Sequence, residues 1–343
     1  MEGMRRVGTW LGLTAAGFAG VAVTLWAVGL TVFQPWVVLP VLLAVSVVIY
    51  RMRGSRVKRA LGGWAAGVSM CAVCYLLMRA PSDSTEWQLP WWEAPTFSLE
   101  QGGEVLCVSG VRDFSYPMAV YEQERYRKVS AMLPQYREEC YPLRELCGVD
   151  YADCFWDGHT AVCHTMLSFR FEDGRHLVVS AETRLPQGVE QNALGGIYKK
   201  YRMLYVFGTE ADIFGLRTDH RHEDLYLFPM RVTCEQAREM LLTLVRRQEE
   251  AQRDRAPYNT LTDNCSTGVI AALRSTGAVH PGPLAHILNA GLAERLYRAG
   301  LLEHRPGESF AELRRRASCG YDVSPDNRAA YSHALRQRCG VAE

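Results

Sequence analysis

The chain has 343 residues, a formal net charge of +1 and 48% hydrophobic residues. So even a charge balance leaves no basic footprint for nucleic acid, and no nucleic-acid partner is expected. Length alone fits one or two domains, but most of the hydrophobic excess sits before Ala80, dividing the chain into a membrane part and a water-soluble part.

Three apolar runs occupy the amino-terminal part, Trp10 to Phe33, Trp36 to Tyr50 and Leu61 to Met78. A bilayer core takes about 20 apolar residues in helix, so the first run is long enough, the third adequate and the second short. Three transmembrane helices are expected. A cleaved signal peptide has a shorter apolar stretch, and here two further runs follow the first. Arg5 and Arg6 precede the first run, and Arg51, Arg53, Arg56, Lys58 and Arg59 lie between the second and third. Basic loops stay cytoplasmic, so the chain after Ala80 is expected outside the cytoplasm, with the protein in the inner (cell) membrane. Trp87, Trp91 and Trp92 stand just beyond the exit. They suit either the headgroup level of a bilayer or packing on the soluble domain.

The chain is accordingly read as a transmembrane anchor over 1–80, a soluble domain over 81–280 and a helical extension over 281–343. Glu104 to Phe114 alternates like a strand, and Cys163 to Arg184 forms a hairpin. "MLYVFG" and "DLYLFPM" are further short strands. Thr233 to Arg253 has helical spacing behind a threonine cap, a second helix starts near Cys265, and short helices follow His280. Strands surrounded by helices in this order predict an α+β fold with an antiparallel sheet. Of the 11 cysteines, Cys140, Cys147, Cys154, Cys319 and Cys339 are candidates for disulfides in an oxidising compartment.

In the hairpin, Leu167, Phe169 and Phe171 alternate with His164, Ser168 and Arg170, and Leu177, Val179 and Ala181 alternate with Ser180, Glu182 and Arg184. Both strands must bury the same face, and a one-residue slip would reverse one of them. A three-residue loop of Glu172, Asp173 and Gly174 satisfies this, with glycine in the left-handed position. That register pairs Phe169 with Leu177 and Leu167 with Val179, and it sets His164 opposite Glu182. A carboxylate facing a histidine orients an imidazole and stabilises its protonated form.

Asn264 is a favoured helix cap, which puts Cys265 in the first turn. There the amide groups and helix dipole lower a thiol's pKa and offer donors to an oxyanion. A buried inert cysteine is the plainer reading of the same residue. Cys265, His164 and Glu182 together make a Cys–His–acid triad on a papain-like plan. That chemistry needs no cofactor. Tyr258, Asn264, Arg184 and Arg112 are candidates for substrate or oxyanion contacts, or for structural ion pairs and caps.

"VRDFSY", "HTMLSFRFEDGRHLVVSAETR" and "YNTLTDNCST" together resemble the Lnb N-terminal periplasmic domain family, over roughly Trp87 to Leu273. That family resembles circularly permuted papain-like enzymes, with histidine before cysteine in the chain. The resemblance implies thiol acyltransferase chemistry, moving a fatty acyl chain within a diacylglyceryl lipoprotein onto its terminal amine. It implies Cys265 as nucleophile, His164 as base and Glu182 in the orienting place. The partner implied is a lipid or lipoprotein at the outer face of the inner membrane. Three spans ahead of the periplasmic domain depart from the family's order, in which a multi-span part follows it, and this puts the lipoprotein substrate in question.

Other readings compete. "CFWDGHTAVCH" offers Cys154, His159, Cys163 and His164 as zinc ligands, but the spacing fits no common site and no metal is expected. His220, His222, Glu223 and Asp224 read as an exposed loop, and Arg314 to Arg316 as a solvated helix face or a contact for anionic lipid. A non-catalytic envelope scaffold or sensor, with Cys265 buried or disulfide-linked, and a cell-wall cysteine peptidase or amidase are the alternative functions.

Overall fold

The computed structural model describes residues 2–52, 54–78, 86–120, 128–156, 158, 161–277, 289–323 and 328–341. The expected boundaries at 80/81 and 280/281, and His159, lie outside them. The chain separates into two compact units, Met1–Ala80 with Asn192–Lys200, and Pro81–Gln191 with Tyr201–Glu343.

The first unit contains α1 (Glu2–Phe33), α2 (Val38–Arg51), α3 (Arg56–Leu77) and the short α4 (Ala193–Ile197). Among the described residues, only α3 is by itself long and apolar enough to cross a membrane. Phe18–Phe33 and Pro35–Arg51 pass together as a pair bent by 112°, a broken span or a re-entrant loop. The expectation of three separate spans is therefore corrected to one span, or two if the bent pair counts as one. The cause is local. Proline at position 35 starts a new turn rather than continuing α1, and the 14 residues of α2 reach about 21 Å against a core of about 30 Å. Gly63 and Gly67 let α2 lie close on α3, where an added Cβ would meet Ile49 and Val45 at 3.2 and 3.1 Å. Residues 192–200 close the unit: Gln34 Nε2 donates to the Tyr198 carbonyl, the Tyr75 hydroxyl to the Ile197 carbonyl, and Phe33 stacks on Tyr198.

The second unit is built on strands β1 (Thr96–Glu100), β2 (Val105–Arg112), β5 (Tyr136–Pro142), β6 (Leu146–Phe155), β7 (His164–Phe171), β8 (His176–Arg184), β9 (Arg202–Gly208) and β10 (Asp224–Pro229), with β3 (Ser115–Val120) and β4 (Lys128–Leu133) paired separately. The eight-stranded sheet runs β1-β2-β9-β8-β7-β6-β10, with β5 added on β2. All of its pairings are antiparallel except a single β2–β9 bridge at Arg112 and Gly208. Gly110, at a φ of +88°, makes a bulge in the pairing of β2 with β5, which resumes with Val111 opposite Arg137. The fold class is α+β, as expected.

The central hairpin has the expected register, with Phe169 opposite Leu177 and Leu167 opposite Val179, and Gly174 at a φ of +82°. Its apolar face joins a core with α6 (Cys234–Arg253) and α7 (Cys265–Ser275) through Met240, Leu244, Val269 and Ile270. The other face is also covered. Met166, Val178, Leu204 and Val206 meet Tyr331, Leu335 and Cys339. α10 (Tyr331–Cys339) follows α5 (Glu210–Ile213), α8 (Leu292–Arg298) and α9 (Phe310–Arg316) in the chain. Polar residues on that face are therefore bonded in pairs rather than solvated: Ser168 donates to Glu210 at 2.6 Å, and Arg336 binds both Glu210 and Asp150.

Two disulfides form, Cys107–Cys140 and Cys319–Cys339. Cys147 and Cys154, expected as partners, are free, and Cys107 was not foreseen. The first pair is set by the facing register of β2 and β5, which pairing by eye along the sequence does not reveal.

Candidate active site

The sulfur of Cys265 is placed by the start of α7. Asn264 caps that helix: its side-chain oxygen accepts the Ser266 N–H at 3.0 Å, and the Thr267 hydroxyl accepts the Asn264 N–H at 3.0 Å. Asn264 Nδ2 donates to the Thr260 carbonyl, so this side chain is engaged in the turn. Gly268 brings α7 down on the sheet, since a Cβ there would sit 2.7 Å from the Tyr205 ring. Cys265 is left buried and is not in a disulfide.

His164 is the first residue of β7 and Glu182 lies near the end of β8. Continuing the hairpin register two residues past Met166 and Ser180 sets them opposite one another. A hydroxyl intervenes. His164 Nε2 is 2.7 Å from Ser180 Oγ, which donates to Glu182 Oε1 at 2.7 Å, while the direct Nε2–Oε1 separation is 3.4 Å. After Glu182, the Cys265 sulfur is the group that most strongly raises the imidazole, and His164 is the group that most strongly lowers the thiol.

The electrostatics follow from this arrangement. Burial alone would lower the pKa of His164, but the Glu182 carboxylate and the Cys265 sulfur outweigh it and push the imidazole up to about 9. Burial would raise Cys265, yet the His164 charge, its hydrogen bond, the Thr165 backbone and the Ser266 hydroxyl hold the thiol below its ordinary value. Burial would likewise raise Glu182, and His164, Arg217 and Arg112 hold its carboxyl well below the usual range. The three shifts act in one direction, drawing the thiol and imidazole toward their charged forms with the carboxylate behind them.

Three contributors were not foreseen. Arg217 Nη2 reaches Glu182 Oε1 at 3.4 Å from a π-helical turn, Leu216–Arg221. Ser180 lies between base and acid. Asn289, buried beyond α7, holds both the backbone of Cys163 and the Ser266 hydroxyl. Only Ser180 carried a sequence signal, its place on the His164 face of the hairpin.

The remaining expectations sort by position. Tyr258 faces the site: burial first, then the charges of Cys265 and Glu182, push its phenol up. Arg184 does not join the sulfur. It donates to the Trp91 and Trp92 carbonyls at 2.9 and 2.6 Å and stacks on Trp87 at 4.5 Å. Trp87 and Trp91 thus pack on the domain, whereas Trp92 is 65% exposed. Arg112 is locked to Asp212 at 2.8 and 3.2 Å. Among the described residues no cluster of histidine, cysteine and carboxylate could hold a metal. Cys154 donates to Glu223 and Cys163 to Asp153, and His159 lies outside the described residues. The expected exposed loop around His220 is instead a partly buried turn, with His222 on Asp322. Arg314 stacks on Phe155 and Tyr226, and Arg316 pairs with Glu308.

Fold and site together define an α+β domain whose helix-start cysteine faces a histidine–serine–glutamate array across a sheet. Residues 133–291 match the family model of the Lnb N-terminal periplasmic domain, and over these residues the chain carries a domain of that family. Cys265, His164, Glu182 and Asn289 all fall within the match. No curated protein and no solved structure matches the chain.

Proposed function

We propose that the protein is a membrane-anchored, extracytoplasmic thiol acyltransferase or hydrolase that acts on a lipid-linked substrate. The observation that carries this reading is a free cysteine at the start of α7 beside a His164–Ser180–Glu182 array. The periplasmic family match and the apolar helices near the amino terminus support an inner-membrane location, with a lipid or lipoprotein met at its outer face.

The residues divide the work as follows. The Cys265 thiolate attacks an ester carbonyl and forms a C–S bond, with the oxyanion developing beside the Cys265 amide at the start of α7. Collapse breaks the C–O bond, and the imidazolium of His164 passes its proton to the departing alkoxide. An amine or water then attacks the thioester while neutral His164 takes its proton, and the thiolate leaves. Glu182, through Ser180, holds the ring's orientation and favours its charged form.

The test compares intact protein with Cys265→Ala on lipoprotein, phospholipid and peptide substrates. A mass increase equal to an acyl group on the Cys265 peptide, lost in Cys265→Ala, is expected with a lipid-linked ester. Failure of every lipid-linked ester to form that adduct would end the reading.

A further inference from the structure

Asn289 is 4% exposed and its amide is fully engaged. Oδ1 accepts the Cys163 N–H at 2.9 Å, and Nδ2 donates to the Cys163 carbonyl at 2.6 Å and to Ser266 Oγ at 2.6 Å, with Cys265 Sγ 3.8 Å from the same nitrogen. One side chain thus grips the residue before His164 by both backbone groups and the residue after Cys265 by its hydroxyl. A carboxamide is suited to this, since it alone offers an acceptor and two donors of neutral charge. Ser266 Oγ also receives Thr165 Oγ1 at 3.4 Å. With both lone pairs so used, the hydroxyl proton is left for the acceptor still within reach, Cys265 Sγ at 3.9 Å.

We propose that Asn289 is a positioning residue, which holds the start of β7 against the start of α7 and aims the Ser266 hydroxyl at the Cys265 sulfur. The proposal rests on the reading of Cys265 as nucleophile. It goes beyond that reading by assigning an ordered chain of donors, Asn289 to Ser266 to Cys265, that acts without touching substrate.

The experiment measures alkylation of Cys265 by iodoacetamide across pH in the full chain in detergent, followed by mass spectrometry of the Cys265 peptide. The ionisable groups facing the sulfur are His164 and Cys163 at the start of β7, Tyr151 on β6, Tyr205 on β9 and Tyr258 ahead of α7. Burial raises the tyrosines and Cys163, so His164 and Cys265 are the groups that shape the profile near neutrality. Asn289→Leu keeps the size and adds no charge. It and Ser266→Ala are each expected to move the midpoint of the profile up by about one pH unit, roughly a tenfold slower reaction at pH values well below the midpoint. Because Asn289 acts through Ser266, the double variant should move no further than the larger single shift. Ser266→Ala, with an unchanged thermal midpoint, keeps the test valid if Asn289→Leu fails to fold. Variants whose profiles overlay that of the unaltered protein would overturn this proposal alone. An ordinary thiol profile in the unaltered protein would remove the nucleophile reading along with it.

Discussion

Glu182 reaches His164 chiefly through Ser180, and that hydroxyl separates two kinds of loss. Glu182→Gln removes the charge that holds the imidazole at about 9. The His164 pKa should then fall toward its ordinary value, and the alkaline limb of the kcat/KM profile should move to lower pH with it. The sign is fixed, since removing a nearby anion disfavours a cation. Ser180→Ala leaves the charge in place and removes a hydrogen bond to a charged group, worth about 1.5–3 kcal/mol. Activity should drop with a much smaller displacement of that limb. His164, Glu182 and Cys265 were legible in the sequence because a period-two hairpin fixes its register and a cap fixes a helix start. Arg217 and Asn289 were not, because a π-helical turn and a turn beyond α7 have no periodicity to read.

Among the elements, α10 is held by a buried ionic cluster. Arg336 binds Asp150 at 2.5 Å and Glu210 at 2.7 and 2.9 Å, all within the second core. Arg336→Ala would strand two carboxylates away from water, at a cost of about 3–5 kcal/mol, seen as a lowered thermal midpoint. Burial would raise Glu210, but Arg336, His176 and Ser168 hold it down at about 2. A folded pKa below the unfolded one contributes stability at neutral pH that is lost as pH falls toward that value. Amide exchange in α10, corrected for intrinsic rates, should therefore accelerate between about pH 4 and 2. The elements read most easily were those whose apolar residues recur at a fixed period, the hairpin and the capped α6. β6 escaped because it is buried on both sides for nearly its whole length, so its residues show no alternation.

For the whole molecule, the apolar runs were legible as membrane-compatible, while their separation into spans was not, because run length carries no information about a bend at Pro35. The proposed sidedness has a direct check in Cys234, an exposed free thiol at the start of α6. An impermeant maleimide added to intact spheroplasts should label it, and Cys234→Ser should lose the label. Labelling only after lysis would put the domain on the cytoplasmic side. One further consequence comes from the nine residues Asn192–Lys200, which interrupt the sheet sequence between β8 and β9 to complete the helical unit. The polypeptide therefore passes between its two units at three places, so nicking it once ahead of Trp87 does not disconnect them. A fragment begun there would also carry a bare hook, with Tyr198 stripped of the Phe33 ring it stacks on. Such a truncation should aggregate unless the hook is excised with the helices it belongs to.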